Sequence, residues 1–489
     1  MTDLHQESSL VLRPGDKYRS FSVNILPEEP EELHLHDVRK ERHFSLIHRP
    51  SVMEYYSDYL QTPQIVAMVG LPARGKTYIS KKLCRYLNWI GFRTKVFNLG
   101  EYRRMKSTYE DHSLFKKGNL EGEALREQCA IEALEDTCLW FENGGEIAII
   151  DATNSTRERR EMIKSVVDEK GYKLFYVESI CTDPEIIKKN ITEVKVFSPD
   201  YKEKTTEEVV KDFTQRIQHY AEQYMPLDEK EEPDVSFIKL INAGESVEIH
   251  KHEGPIQSRI IYYLMNLHIL PRNIYFTRHG ESEFNLSDRV GGDSELSPRG
   301  KEYALALAKF VAGMNIPDLR VWTSVKQRTI STAEHIACPQ ERWKVLNEID
   351  VGICDGMSYE EVAMKYPGIR KAREMDKFHY RYPHGENYQD VTERLEPVIM
   401  ELERQSNVLV VCHEAVLRCL LGYFLDIPQR EIPYIYVPLH TFFRLSPITY
   451  GCKVQHIKFP IPCVETFVPK VVFILYIITA MTLVVTQIL

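Results

Sequence analysis

Gly70-Leu-Pro-Ala-Arg-Gly75-Lys76-Thr77 lies between the apolar run Gln64–Val69 and a stretch with Ile79, Leu83, Leu87 and Ile90 at helical spacing. No other feature constrains the fold as tightly. The spacing GxxxxGK followed by Ser or Thr, set between a strand and a helix, is a phosphate cradle. Its glycines let the backbone curl so that N–H groups face the β- and γ-phosphates of a nucleotide. They do so at a helix N-terminus that already favours anions. Lys76 is expected to bridge β- and γ-oxygens, and Thr77 to hold Mg2+.

The rest of the first half agrees. "TKVFN", "EIAIID", "KLFYVESI" and "SFIKLI" read as further strands alternating with helices. That alternation implies a parallel sheet covered on both faces. "EIAIID" delivers Asp151 to a C-terminal strand edge, where a carboxylate positions Mg2+ or the attacking hydroxyl. Arg103, Arg104, Arg126, Arg157, Arg159 and Arg160 gather near strand and helix ends. Several guanidiniums on a nucleotide domain suggest a second anionic substrate such as a sugar phosphate. Each one singly also reads as solvated surface charge. "KKNITEVK", around Lys195, reads either as a nucleotide contact or as a charged helix.

Turn signals in "NAGES" and "EGP", then a helical "SRIIYYLMNLHIL" ended by Pro271, mark a boundary over residues 245–272. A second α/β series opens with "NIYFTR" and runs through "YALALAKFVAGM", "RVWTS" and "NVLVVCH" to about residue 460. Arg278-His279-Gly280 follows its first strand. A neutral histidine there accepts a phosphoryl group if cations stabilise the transfer. Arg328 and His413, at other strand or helix starts, are the candidate cations. Glu348 is placed to protonate the leaving oxygen, provided its surroundings keep it partly protonated.

A chain of 489 residues is too long for one ordinary core. Its 43% hydrophobic and 27% charged residues suit globular domains, and a net charge of −9 argues against general nucleic-acid binding. Ten cysteines without a CxxC pair, and no signal peptide, point to reduced intracellular thiols. Residues 1–60 read as a polar, poorly structured leader. Its "RSFS" and "RHFS" place a serine three after an arginine, a pattern that basophilic kinases favour and ordinary loops share. Val471–Leu489 carries no charge in 19 residues. As a helix it spans about 28 Å, against a hydrocarbon core of about 30 Å. It reads as a membrane anchor, with a buried helix or an atypical terminus as the alternative.

Taken together, "GLPARGKTY", "FNLGEYRR", "DATNSTRERR", "SICTDP", "SPDY", "YFTRHGES", "VGGDSELSPRG", "TISTAE", "NEIDVG", "RYPHGENY" and "CHEAVLRCLLGYFLD" closely resemble the bifunctional 6-phosphofructo-2-kinase/fructose-2,6-bisphosphatases. The resemblance covers about residues 60–460. It implies a P-loop kinase domain over residues 61–250 and a phosphoglycerate-mutase-like histidine phosphatase domain over 272–460; the apolar tail, 467–489, lies beyond it. The kinase would make fructose 2,6-bisphosphate from fructose 6-phosphate and ATP, and the phosphatase would hydrolyse it back. By resemblance Gly70, Gly75, Lys76, Thr77, Asn190, Lys195 and Tyr450 serve the nucleotide, with Asp151 and Cys181 catalytic. Arg103, Arg126, Thr153, Arg159, Arg216 and Tyr220 match the fructose 6-phosphate site. His279 becomes the phosphohistidine, Glu348 the acid/base, and Arg278, Arg328 and His413 hold the phosphoryl group. Asn285, Gly291, Tyr359, Arg373, Lys377, Tyr388 and Arg418 match substrate contacts. The resemblance also implies a homodimer with its catalytic domains in the cytosol.

Two departures stand out. The family usually has glutamine after the second catalytic histidine, where this chain has Glu414. A carboxylate in the substrate site either repels a bisphosphate or points away from it. The apolar tail is the second departure; the absence of positive charge after the span tilts it slightly toward the endoplasmic reticulum over the mitochondrion. Three readings follow: a bifunctional enzyme, a kinase-dominant one with a weakened phosphatase, or a membrane-anchored sugar-phosphate sensor. Intact Lys76, Thr77, Asp151, His279 and Glu348 weigh against the sensor.

Overall fold

The computed structural model describes residues 62–107, 112–192, 199–201, 205–267, 272–448 and 451–466. The leader, Lys195, Tyr450 and the apolar tail lie outside the described residues. Among the described residues no helix is long and apolar enough to cross a membrane.

The N-terminal half is built on a six-stranded sheet. Its strands are β1 (Gln64–Val69), β2 (Thr94–Asn98), β3 (Ile147–Asp151), β4 (Lys173–Ile180), β5 (Phe237–Ile241) and β6 (Ser246–His250), in the order β2-β3-β1-β4-β5-β6. All neighbours run parallel except β6, which is antiparallel to β5. β1 and β3 are buried along their whole length. Helices cover both faces, so a continuous apolar run, not an alternating one, is what such strands require. The register sets Asn98 beside Asp151 at the carboxyl end of the sheet. At the end of β1 the chain turns through Gly70, whose φ of 131° and whose place 2.5 Å from Ser179 O for any added Cβ both demand glycine. Helix Lys76–Trp89 follows.

The C-terminal half repeats the scheme. Its strands are β7 (Asn273–Arg278), β8 (Arg320–Thr323), β9 (Gln340–Arg342), β10 (Asn407–Cys412), β11 (Thr441–Ile448) and β12 (Gly451–Lys458). They take the order β12-β11-β7-β10-β8-β9. β7, β10, β8 and β9 are parallel, and the β11–β12 hairpin is antiparallel to β7. Cys412 pairs with Arg278, and Val411 with Thr323, so the residues after β7, β10 and β8 emerge side by side.

The parallel sheet expected for the first half is therefore corrected at its edge. β6 is exposed or half-buried along its whole length, and in the second sheet β11–β12 closes one edge as a hairpin, the antiparallel pattern that one-sided burial favours. The boundary helix also differs: it runs over Gly254–Asn266, starting earlier than expected because Pro255 sits in its first turn.

The two halves share one core. A single apolar cluster runs from Val66 in β1 through Ile260 and Tyr263 to Leu417 and Leu445. Tyr86 stacks on Tyr263 with ring centroids 4.3 Å apart. Beside them Glu403, on helix Glu396–Arg404, is fully buried. Its carboxylate meets Arg85 at 3.1 Å and Lys82 at 3.5 Å, both on the helix that follows the phosphate loop, and also pairs with Arg272. Tyr423 donates to it at 2.6 Å. Burial pushes the Glu403 pKa up, but Lys82, Arg272 and Arg85 more than reverse this and hold it below the ordinary carboxylate range.

Replacing Glu403 with alanine strands three buried cations, so urea denaturation should show a loss of about 3–5 kcal/mol. A loss under about 1 kcal/mol, the value of an exposed pair, would refute this reading. Because the folded pKa is depressed, the contribution is present above the unfolded value and fades as pH falls through the acid range.

Candidate active sites

The first site is a cavity of about 1480 Å3 at the carboxyl end of the first sheet. Ten lysines and arginines line it against six acids, a surplus that suits an anionic ligand. One end is the phosphate loop. Gly70 N–H donates to Thr153 O at 2.9 Å, and Gly75, at φ 82°, begins the helix. Lys76 Nζ arches back to Leu71 O at 2.7 Å, and Asn190 Nδ2 pins the loop through Ala73 O at 3.1 Å. Thr77 and Asp151 share this end of the wall, and Asn98 Nδ2 donates to Asp151 Oδ2 at 2.5 Å.

Arginines form the other end. Asp200 pairs with Arg103 at 2.5 Å and lies 3.9 Å from Arg104 and 4.0 Å from Arg216. Arg216 also lies 4.0 Å over the Phe115 ring, which Tyr220 flanks at 5.5 Å. Arg126 donates to Leu114 O, and Arg159 to Arg126 O at 3.2 Å. With Thr153, the six residues that the resemblance assigns to fructose 6-phosphate all line this one cavity.

Two expected arginines do not. Arg157 pairs with Glu231, and Arg160 is buried in a two-pronged bond to Glu232 at 2.9 and 2.5 Å. They tie helix Arg157–Lys170 to the stretch that precedes β5. Cys181 is buried behind the phosphate loop, its sulfur 3.9 Å from Asp183 O, off the cavity wall. Pro447, Ile448 and Lys453 of the β11–β12 hairpin, by contrast, complete the wall from the C-terminal half.

The second site lies where β7, β10 and β8 end. His279 Nδ1 is 2.7 Å from Gly280 O, which makes it the protonated nitrogen and leaves Nε2 with its lone pair. Burial, then Arg328 and Arg278, hold the His279 pKa well below 6.5. The close turn needs Gly280, since an added Cβ would fall 2.6 Å from Gly300 O. Arg328 Nε donates to His413 Nδ1 at 3.2 Å, so His413 Nε2–H faces Ser324 Oγ at 2.8 Å. Both ring nitrogens of His413 are thus engaged, one by Arg328 and the other by Ser324. Arg328 also donates to Gly292 O at 3.0 Å, on the turn that Gly291 opens at φ 71°. Glu348 accepts the N–H groups of Glu414 at 2.9 Å and Ala415 at 3.1 Å, plus that of Ile349 at 2.9 Å. Its carboxylate thus sits at the N-terminus of helix Glu414–Leu425.

Around this centre Arg418 donates to Tyr388 Oη at 3.2 Å and Lys377 to Pro433 O at 3.0 Å. Arg373 lies among Tyr359, Tyr382 and Tyr388. Asn285 stands apart in role: its Oδ1 accepts from Ser282 N at 2.9 Å and Ser282 Oγ at 3.0 Å, closing a helix cap.

A family model for 6-phosphofructo-2-kinase matches residues 53–271, and one for the histidine phosphatase superfamily (branch 1) matches 274–459. The chain is 54% identical over 406 residues to 6-phosphofructo-2-kinase/fructose-2,6-bisphosphatase 4 of Rattus norvegicus, covering 83% of this chain and 87% of that one. The chain belongs to the 6-phosphofructo-2-kinase/fructose-2,6-bisphosphatase family. Form 3 of Rattus norvegicus is 53% identical over 423 residues (86% and 76% of the two chains), and form 1 of Mus musculus 53% over 409 (83% and 87%). Among solved structures, the alpha-ribazole phosphatase of Shigella flexneri aligns with 40% of this chain and 99% of its own, at 22% identity and a TM-score of 0.36.

In this family member, sequence reasoning missed Asn98, Asp200 and Ser324. Asn98 was visible as the last residue of a strand, opposite nothing that its own neighbourhood reveals. For His279, isotope-labelled histidine NMR should show an Nδ1–H tautomer that stays neutral through pH 6.5, because a lowered pKa keeps the proton off. A titration midpoint at or above 6.5 would contradict the geometry.

Proposed function

We propose that the first cavity transfers the γ-phosphoryl group of ATP to the 2-hydroxyl of fructose 6-phosphate, and that the second site removes it again through His279. The observation that carries this is the pairing of two tools in one chain: a phosphate loop facing an arginine wall, and a neutral histidine between Arg278 and Arg328. The names of the relatives support the same two reactions.

In synthesis, Lys76 stabilises the migrating charge and the arginine wall, with Thr153 and Tyr220, orients the sugar phosphate. The hydroxyl of Thr77 and the carboxylate of Asp151 are hard oxygen donors, the type that suits Mg2+ held together with a nucleotide. When bound, Mg2+ would neutralise charge on the phosphates. In breakdown, His279 Nε2 attacks phosphorus and the sugar oxygen leaves with a proton from Glu348. Water then attacks the phosphohistidine, returns a proton to Glu348, and releases inorganic phosphate. Family membership also supports a homodimer with its catalytic halves in the cytosol.

Lys76→Met should cut synthesis by about 10²- to 10³-fold and spare hydrolysis. His279→Ala should do the reverse, with a loss of at least about 10³-fold. Both rates, measured on each purified variant, decide the matter: a single change that lowers both, or neither, removes the assignment.

We further propose that Val471–Leu489 anchors the chain in a membrane, because 19 uncharged residues suffice to span one. The full chain should stay in the membrane pellet through alkaline extraction, whereas a chain ending at Thr466 should not. Release of the full chain into the alkaline supernatant would end the proposal.

A further inference from the structure

Glu414 opens the helix that follows β10 and points into the cations of the second site. Its Oε2 lies 3.0 Å from Arg278 and its Oε1 2.5 Å from Arg418. Thr466 Oγ donates to Oε2 at 3.2 Å, and the same oxygen accepts from Arg278 at 2.9 Å. Burial pushes the Glu414 pKa up, but Arg278, Arg418 and Lys377 reverse that and hold it below the ordinary carboxylate range.

The placement matters because Arg278 and Arg418 serve different ends of the pocket. Arg278 flanks the histidine that takes the phosphoryl group. Arg418 stands with Tyr388, Lys377 and Arg373 in the surrounding shell, where the rest of a substrate must sit. Around the site stand Arg278, Arg328, Arg373, Lys377 and Arg418, balanced by Glu348, Glu414 and Asp293, which lies 3.8 Å from Arg328. Glu348 accepts N–H groups at the helix N-terminus and is the proposed proton donor. Glu414 bridges two of the guanidiniums, Arg278 and Arg418. A carboxylate is acceptor only, so it gives a phosphate no hydrogen bond in return for the cations it occupies.

We propose that Glu414 is a specificity-determining residue of the phosphatase site: an internal anion that bridges Arg278 and Arg418 and competes with the phosphates of fructose 2,6-bisphosphate. This rests on the reading of His279 as the phosphoryl acceptor. A doubly phosphorylated sugar places most charge near the bridge and is penalised most. The phosphatase half therefore runs below the capacity of its histidine, and the chain leans toward synthesis.

The test compares the full chain with Glu414→Gln, which keeps the shape, removes the charge and adds an N–H donor. Hydrolysis of fructose 2,6-bisphosphate is measured with synthesis in the same preparation as internal reference. The expected result is a rise of about 10- to 100-fold in kcat/KM for hydrolysis, carried mainly by a lower KM. Fructose 2,6-bisphosphate labelled with radioactive phosphate at position 2 is used in parallel to trap acid-labile label on His279. Label on both proteins with an unchanged or lower kcat/KM in Glu414→Gln overturns the inference and leaves the histidine assignment standing. No label on either protein overturns both.

Discussion

One buried carboxylate ties the two described halves to each other across their shared apolar core. Glu403 comes from the C-terminal half, Lys82 and Arg85 from the helix that follows the phosphate loop, and Arg272 from the connection between the halves. Three cations on one carboxylate would be untenable in an apolar core without further partners. Phe424 O takes Arg85 at 3.1 Å and Glu403 O takes Arg272, while two tyrosine hydroxyls, Tyr263 and Tyr423, complete the network. Lys82 is left as the surplus cation, and burial together with Arg85 pushes its pKa down to about 7. The helix that cradles phosphate in one half is thus seated on the core of the other.

Both sites then follow from strand register. In each sheet, neighbouring parallel strands end at the same level and deliver their next residues to one edge: Asn98 beside Asp151, and His279 beside His413 and Ser324. Ligand sites at the carboxyl ends of parallel strands are the general outcome of this topology. What differs is the residue that takes up each edge. The first edge turns into a glycine loop that offers backbone N–H groups. The second offers a histidine whose proton is tied down at Nδ1.

The interior strands were legible through their apolar runs: β1, β3, β4, β7 and β10 match "QIVAMV", "EIAIID", "KLFYVESI", "NIYFTR" and "NVLVVC". β6 escaped because its exposed residues hide the alternation, β9 because three residues carry no period, and β11–β12 because Pro447 interrupts it. Motif residues were legible where a spacing rule ties chemistry to position, as for Lys76, Thr77 and His279. Asp200 was not, since one acid close to three arginines is visible only when 103, 104 and 216 meet in space. Nor could the sequence choose between the two directions Glu414 might face. The two successive α/β series were legible in the order of strands and helices, but the shared core was not, because its contacts join residues more than three hundred positions apart, as Arg85 and Glu403 do.

The β11–β12 hairpin carries a consequence for how such a chain changes over time. It is an edge of the second sheet, yet Pro447, Ile448 and Lys453 face the first cavity. The two activities are therefore not free modules that recombination can exchange at the connection near Arg272. A foreign C-terminal half would bring a foreign wall to the nucleotide. Selection acting on one reaction must tolerate substitutions accepted for the other, and the hairpin is where that shared inheritance is written.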